Sequence, residues 1–339
     1  MSVTDINKEK LNAIRNKLAK SQGFQFSENL KSVFDLNGHR QAESMPNNNV
    51  EQNDPMEEDL PDLTPLLDSI SILSGSSSQI QTQLKLETLE NLVNLPQSQL
   101  KIAISSIDMA SWADEITADL LKEISKSENI PNANAAYLVY AATYSKITAL
   151  KSNVPRILMN SIQQLTKDEG KCVIDGLIVP LLFQSGLSKP QCEVINKSTT
   201  ELNPSQRLFL LKTILSDGES YFATNTDIKL ISNDNRNYLR PWNDNVFQLI
   251  STILSTQPLV NFDRTHLFDL VQPLQTIVQS NPKDKGSMQL LLLLTSKYAQ
   301  AIIEFSCIDL IEEICQLSTM FLKRSVLGQL TSIKKKMLV

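Results

Sequence analysis

Glycine, histidine and cysteine are all scarce in this chain. Nine glycines in 339 residues disfavour a sheet-rich, turn-rich fold. The only histidines are His39 and His266. Neither has a cysteine or a second histidine at metal-ligand spacing, so no metal site is expected. The four cysteines, Cys172, Cys192, Cys307 and Cys315, contain no C-x-x-C pair. Lone cysteines of an intracellular protein read as small buried hydrophobes. Neither G-x-x-x-x-G-K-[ST] nor G-x-G-x-x-G occurs, so nucleotide binding lacks support. No G-x-S-x-G elbow is present either.

Long apolar stretches are missing too. The run Leu290–Leu294 is followed at once by Thr295, Ser296 and Lys297, whereas a membrane span needs about 20 mostly apolar residues. Met1 to Lys10 is polar and charged, without the apolar segment of a secretory leader. A soluble, intracellular protein is expected. The adjacent carboxylates Glu57/Glu58 and Glu312/Glu313 point to different faces of a helix and make poor acid–base pairs. They read as solvated. Catalytic, metal and cofactor-binding residues are therefore all expected to be absent, along with any small-molecule ligand.

The composition that remains is that of a globular protein: 41% hydrophobic, 20% charged, net charge −5. A chain this long buries a large core without staples, as two domains or one long solenoid. Its mild acidity gives no global attraction for nucleic acid.

Four regions differ. Residues 1–20 form a short amino-terminal helix or a tail, because Ile6, Ala13, Ile14 and Leu18 fall on one side but an isolated helix this short is marginal. Residues 21–61 read as a disordered linker. Residues 41–59 hold six acidic groups and no lysine or arginine, with too few apolar residues to offset chain entropy. The island Phe24, Phe26, Leu30, Val33, Phe34 is either a binding peptide or a local cluster. Residues 62–333 are a succession of amphipathic segments, and 334–339 are a basic tail.

Within 62–333, Leu86, Leu89, Leu92 and Val93 lie on one helix face. Further helices are predicted to start near Asn134, Val154, Lys171, Lys189, Pro204, Trp242, Arg264 and Ser287. Pro96, Pro131, Pro155, Pro190, Pro204, Pro241, Pro258 and Pro282 stand where helices begin or end. Pro180 and Pro273 mark kinks or shorter helices. The Leu290–Leu294 segment is apolar all round and belongs at the centre of the fold. Ser111–Trp112–Ala113–Asp114 and Pro241–Trp242–Asn243–Asp244 form a weak internal echo, 130 residues apart. In each, Trp-x-Asp is expected in a helix first turn, where an acid is favoured, and Ser111 with Asp114 resembles a capping box. The spacing is about three helical-repeat lengths. The fold class is all-α, and the pattern points to a solenoid of stacked antiparallel helical (HEAT-like) repeats.

In the last helix, Leu322, Val326, Leu330 and Ile333 share one face, and Phe321 stands about 100° off it beside Lys323 and Arg324. Phe321 is either an exposed contact residue or a staple onto Leu317 or another helix. The basic cluster with Lys334, Lys335 and Lys336 is either an import or nucleic-acid signal or a helix end suited to the macrodipole.

At these residues the chain resembles the Fanconi anaemia group E family. The resemblance rests on three segments: Trp112–Ala113–Asp114–Glu115 with Ile116; Trp242–Asn243–Asp244 opening Val246–Phe247–Gln248–Leu249–Ile250; and the ending Leu317 to Leu327. It covers roughly residues 62–333. It implies stacked antiparallel helical repeats and a non-catalytic adaptor of the nuclear core complex. That complex monoubiquitinates its DNA-clamp substrates in DNA interstrand crosslink repair. The implied partners are the group C subunit, other core-complex subunits and the D-group substrate. The implied protein-binding residues are Phe321, Lys323 and Arg324. Direct DNA contact and membrane association are not expected.

Overall fold

The computed structural model describes residues 62–75, 82–184, 186–223, 230–231 and 236–337. The readings made above for residues 1–61, His39 and the aromatic island included, lie outside them. Pro61–Val339 forms one unit. Its described residues are helical with no strand among them.

The helices begin where the sequence supplies caps and prolines. Pro96, Pro131 and Pro155 are the N-cap residues of α3 (Gln97–Ser105), α5 (Asn132–Val139) and α7 (Arg156–Val173). A missing N–H costs nothing there, because the first amides of a helix have no intrahelical acceptor. Pro190 lies in the first turn of α9 (Lys189–Glu201), and Pro204 opens α10 (Pro204–Leu215). Gln191 accepts a hydrogen bond from the Ser188 N–H at 2.8 Å. Asn203 and Gln206 form a reciprocal capping box on α10. Asn243, Asp263 and Asp284 accept backbone N–H bonds at the starts of α12 (Asp244–Ser255), α13 (Arg264–Ser280) and α14 (Lys285–Lys297). The remaining helices are α1 (Thr64–Gly75), α2 (Thr82–Val93), α4 (Asp114–Lys126), α6 (Ser145–Ala149), α8 (Val179–Gln184), α11 (Glu219–Ala223), α15 (Ala299–Glu304), α16 (Ile308–Leu317) and α17 (Lys323–Met337).

Packing follows chain order. The helices α2, α4, α7, α9, α12, α14 and α17 form a row, each against the next. In two neighbouring pairs the carboxy-terminal ends lie side by side. Ser125, late in α4, donates to Asp168, late in α7, at 2.6 Å. Lys297 at the end of α14 donates to the carbonyl of Ser255 at the end of α12. These row neighbours therefore run the same way, and the helices between them bring the chain back. Among these, α10 packs on α13 and α13 on α16.

The core is the seam of these helices. Leu89, Leu92 and Val93 are buried and Leu86 is half-buried, as the face count predicts. In α14, Leu290, Leu291 and Leu294 are buried, whereas Leu292 and Leu293 are only partly so. Even this central helix keeps one side thinly covered. Val326, Leu330 and Ile333 bury the inner face of α17.

Three expectations change. Trp112 and Trp242 do not sit in first turns. Each lies one residue before the N-cap and is buried. Trp242 meets Phe247 edge to face at 5.8 Å, a hydrophobic staple across the helix start. Ser111 does not cap α4. Its hydroxyl donates to the Asp108 carbonyl at 2.8 Å, because Met109–Ser111 closes into a 3₁₀ turn of its own. The basic tail is not separate from the last helix, since α17 continues through Met337. Lysines in a final turn face the negative end of the macrodipole, which favours that extension.

The predicted start near Lys171 falls inside α7, beside a kink: Glu169 has φ −130° and ψ 51°. From there the helix widens into a π-turn, Ile174–Ile178, and runs on as α8. Pro180 is the second residue of α8, just past that turn. With no N–H it cannot continue a regular ladder. A second π-turn, Tyr140–Tyr144, joins α5 to α6, and the two wide turns pack together. The first of these turns also lies close against α5, which Gly176 allows, because a Cβ there would lie 2.3 Å from the Ala136 carbonyl oxygen.

Candidate protein-interaction site

Phe321 stands on the turn between α16 and α17. The turn is held from below. Ser318, itself buried, donates its hydroxyl to the Pro282 carbonyl at 3.1 Å. The Thr319 N–H donates to the same oxygen at 2.9 Å. The Met320 N–H donates to the Ser318 hydroxyl at 3.1 Å. The loop before α14 thus anchors the turn, and Met320 and Leu322 pack against the core.

Phe321 lies between those two inward-facing residues and points out, 76% exposed. It therefore does not staple onto Leu317, which is itself 38% exposed. The wheel reading, which places it on a helix, also shifts: α17 starts two residues later. Arg324 is exposed beside it. Lys323 is only half-exposed, and its ammonium donates to the Ser318 carbonyl at 3.0 Å. That contact caps the carboxy-terminal end of α16, so the lysine is already engaged. Lys334 pairs with Glu312 at 2.6 Å. Lys335 and Lys336 face solvent. The result is an exposed aromatic, Phe321, with Lys323 and Arg324 following it in the chain and the other lysines at the far end of α17.

Among the described residues, no group of three or more His, Cys, Asp or Glu side chains is placed to hold a metal. Nor is any helix among them long and apolar enough to cross a membrane. Cys172, Cys307 and Cys315 are buried and unpaired, and Cys192 is half-buried. Burial pushes the Cys315 thiol up to about 11, which leaves it protonated and unreactive. His266 lies in the first turn of α13, where its backbone N–H donates to Asp263 at 2.8 Å.

Sequence reasoning missed Arg207. Its side chain is fully buried and has no carboxylate partner among the described residues. It donates to the carbonyls of Leu202, Ile253, Thr256 and Pro258. These are the terminal carbonyls of α9 and α12 and of the loop that follows α12. One side chain thus ties two row neighbours end to end. No local signal marks it, because its acceptors lie 46 to 51 residues away, apart from Leu202.

No protein-family model matches the chain, and the search of curated proteins finds no match.

Proposed function

We propose that this protein is a non-catalytic adaptor built as a solenoid of stacked antiparallel HEAT-like repeats. The ordered row of helices with returning partners supports the repeat reading. The observation that carries the adaptor reading is Phe321: a large aromatic held 76% exposed on an anchored turn. Exposing such a side chain forgoes its burial free energy, and aromatics with nearby arginine are enriched among binding hot spots. On the resemblance to the Fanconi anaemia group E family, the partner at this turn is the D-group substrate. The group C subunit then occupies another surface, and the protein works in the nucleus. Phe321 and Arg324 make the contact, and Lys323 shapes the turn.

Affinity purification of the tagged chain from its own nuclei, followed by mass spectrometry, tests the assignment. Recovery of a group C homologue with ligase subunits is expected. Recovery of other complexes instead would leave a helical scaffold of different service. Phe321→Ala should weaken substrate-protein binding by about 2 kcal/mol or more, with an unchanged melting temperature. A large fall in melting temperature would move Phe321 from a contact to a structural role.

A further inference from the structure

The last helix of the row, α17, packs on α14, α15 and α16, and its other side carries the residues that the core leaves out. Val326, Leu330 and Ile333 turn inward, whereas Arg324, Ser325, Gly328, Ser332, Lys335 and Lys336 are exposed. At about 100° per residue these exposed positions share one arc, on the side away from the buried ones. Charge on this helix has one sign. Lys323–Met337 contains lysine and arginine but no aspartate or glutamate, in a chain whose net charge is −5. Lys323 and Lys334 are engaged, with the Ser318 carbonyl and with Glu312 of α16. Arg324, Lys335 and Lys336 make no ion pair among the described residues. They stand at opposite ends of the face, about 16 Å apart along the helix axis.

Between these cations the face has little bulk. The Ser332 hydroxyl donates back to the Gly328 carbonyl at 3.0 Å, and a Cβ on Gly328 would meet nothing within 4 Å. Glycine inside a helix is less stable than alanine, and here, unlike at Gly176, no neighbour among the described residues requires the missing side chain. Phe321 adds an anchor at one end. Its carbonyl already accepts the Arg324 N–H at 3.2 Å. The offsets from Phe321 to Ser325, Gly328 and Ser332 are four, seven and eleven residues, those of one helix face. An aromatic, a shallow lane and cations at both ends match an acidic amphipathic helix. Its backbone approaches over Gly328, its carboxylates meet Arg324, Lys335 and Lys336, and its apolar stripe meets Phe321. Single-stranded nucleic acid matches less well. Its binding platforms stack successive bases on several aromatics, and α17 itself has none; the acidity of the chain also opposes a polyanion.

We propose that the outer side of α17, together with Phe321, binds an acidic amphipathic helix of a partner protein. This rests on the reading of Phe321 as a contact residue and supplies the chemistry of what it contacts. Fluorescence anisotropy on the full chain tests it, with a labelled peptide as long as α17, 15 residues, built from glutamate and alanine with leucines at helical spacing. Saturable binding is expected. The same peptide with lysine for glutamate should not bind, and neither should one with a central proline. Gly328→Leu should weaken binding about tenfold, the equivalent of about 1.4 kcal/mol. Its melting temperature should hold or rise, because leucine favours a helix over glycine. Arg324→Glu combined with Lys335→Glu should weaken binding at least as much, whereas Lys212→Glu, at an exposed position on α10, should leave it unaltered. Loss in Gly328→Leu but not in Phe321→Ala would support the α17 face and overturn the contact reading of Phe321. Loss in Phe321→Ala but not in Gly328→Leu would keep that reading and overturn the helix. No binding by the parent chain, or equal binding of the proline peptide, would overturn it too. So would tighter binding of a single-stranded oligonucleotide that Arg324→Glu abolishes, which would make the face a nucleic-acid site.

Discussion

Arg207 has the most to lose at the residue scale. Its charge is buried with no counter-ion among the described residues, and its donors make four hydrogen bonds to backbone carbonyls instead. Burial lowers its pKa from the usual arginine range, yet arginine remains charged in proteins. Arg207→Leu would leave several buried acceptors empty. A loss of about 3 kcal/mol or more is expected, read from the urea midpoint. A loss under about 1 kcal/mol would show that water replaces the side chain. Tyr298 lies on the same seam, with its hydroxyl donating to Leu254 at 2.9 Å. Burial pushes its pKa up to about 12. The folded chain thus holds this proton more tightly than the unfolded chain does. Its contribution is complete below the unfolded value of about 10, falls between about 10 and 12, and is gone above. Stability should drop between about pH 10 and pH 12, and Tyr298→Phe should reduce that drop. An identical drop in the variant would assign it to other groups.

Helices in this protein are shaped more by their ends and interruptions than by their middles. Caps such as Asn203 and Asp284 place the starts, while the two π-turns let α5 and α7 bend together. The close approach depends on Gly176, because the Ala136 backbone occupies the space a side chain would need. Gly176→Ala should destabilise by about 1–3 kcal/mol, as overpacking does. In a helix exposed to solvent the same change would stabilise instead. A calorimetric comparison with Gly328→Ala, where a Cβ meets nothing within 4 Å, separates the two effects. The cost should appear at Gly176 alone.

For the whole molecule, the order of packing matters most. Each row helix touches chiefly its neighbours, so stability is expected to be distributed along the chain. Ile333 is buried on α17, which packs on α14, α15 and α16. Ile333→Asp should therefore release amide protection in α16 and α17 first, with α4 and α7 retaining theirs. Hydrogen exchange with peptide-level readout checks this. Uniform loss across the chain would indicate one cooperative unit.

Sequence alone determined the helical class, the places where most helices begin, and the buried faces of α2 and α17. These follow from local periodicity, caps and proline geometry, which neighbouring residues carry themselves. It also singled out Phe321, but not its surroundings. Tertiary structure decided that Phe321 stands on an anchored turn rather than a helix, because the anchor is Pro282, far away in the chain. It likewise decided that Lys323 caps a carbonyl, that α7 runs past Lys171, and that Arg207 joins two helix ends. The open space at Gly328 belongs with these, because only the packing of α17 on α14, α15 and α16 leaves that side of the helix clear.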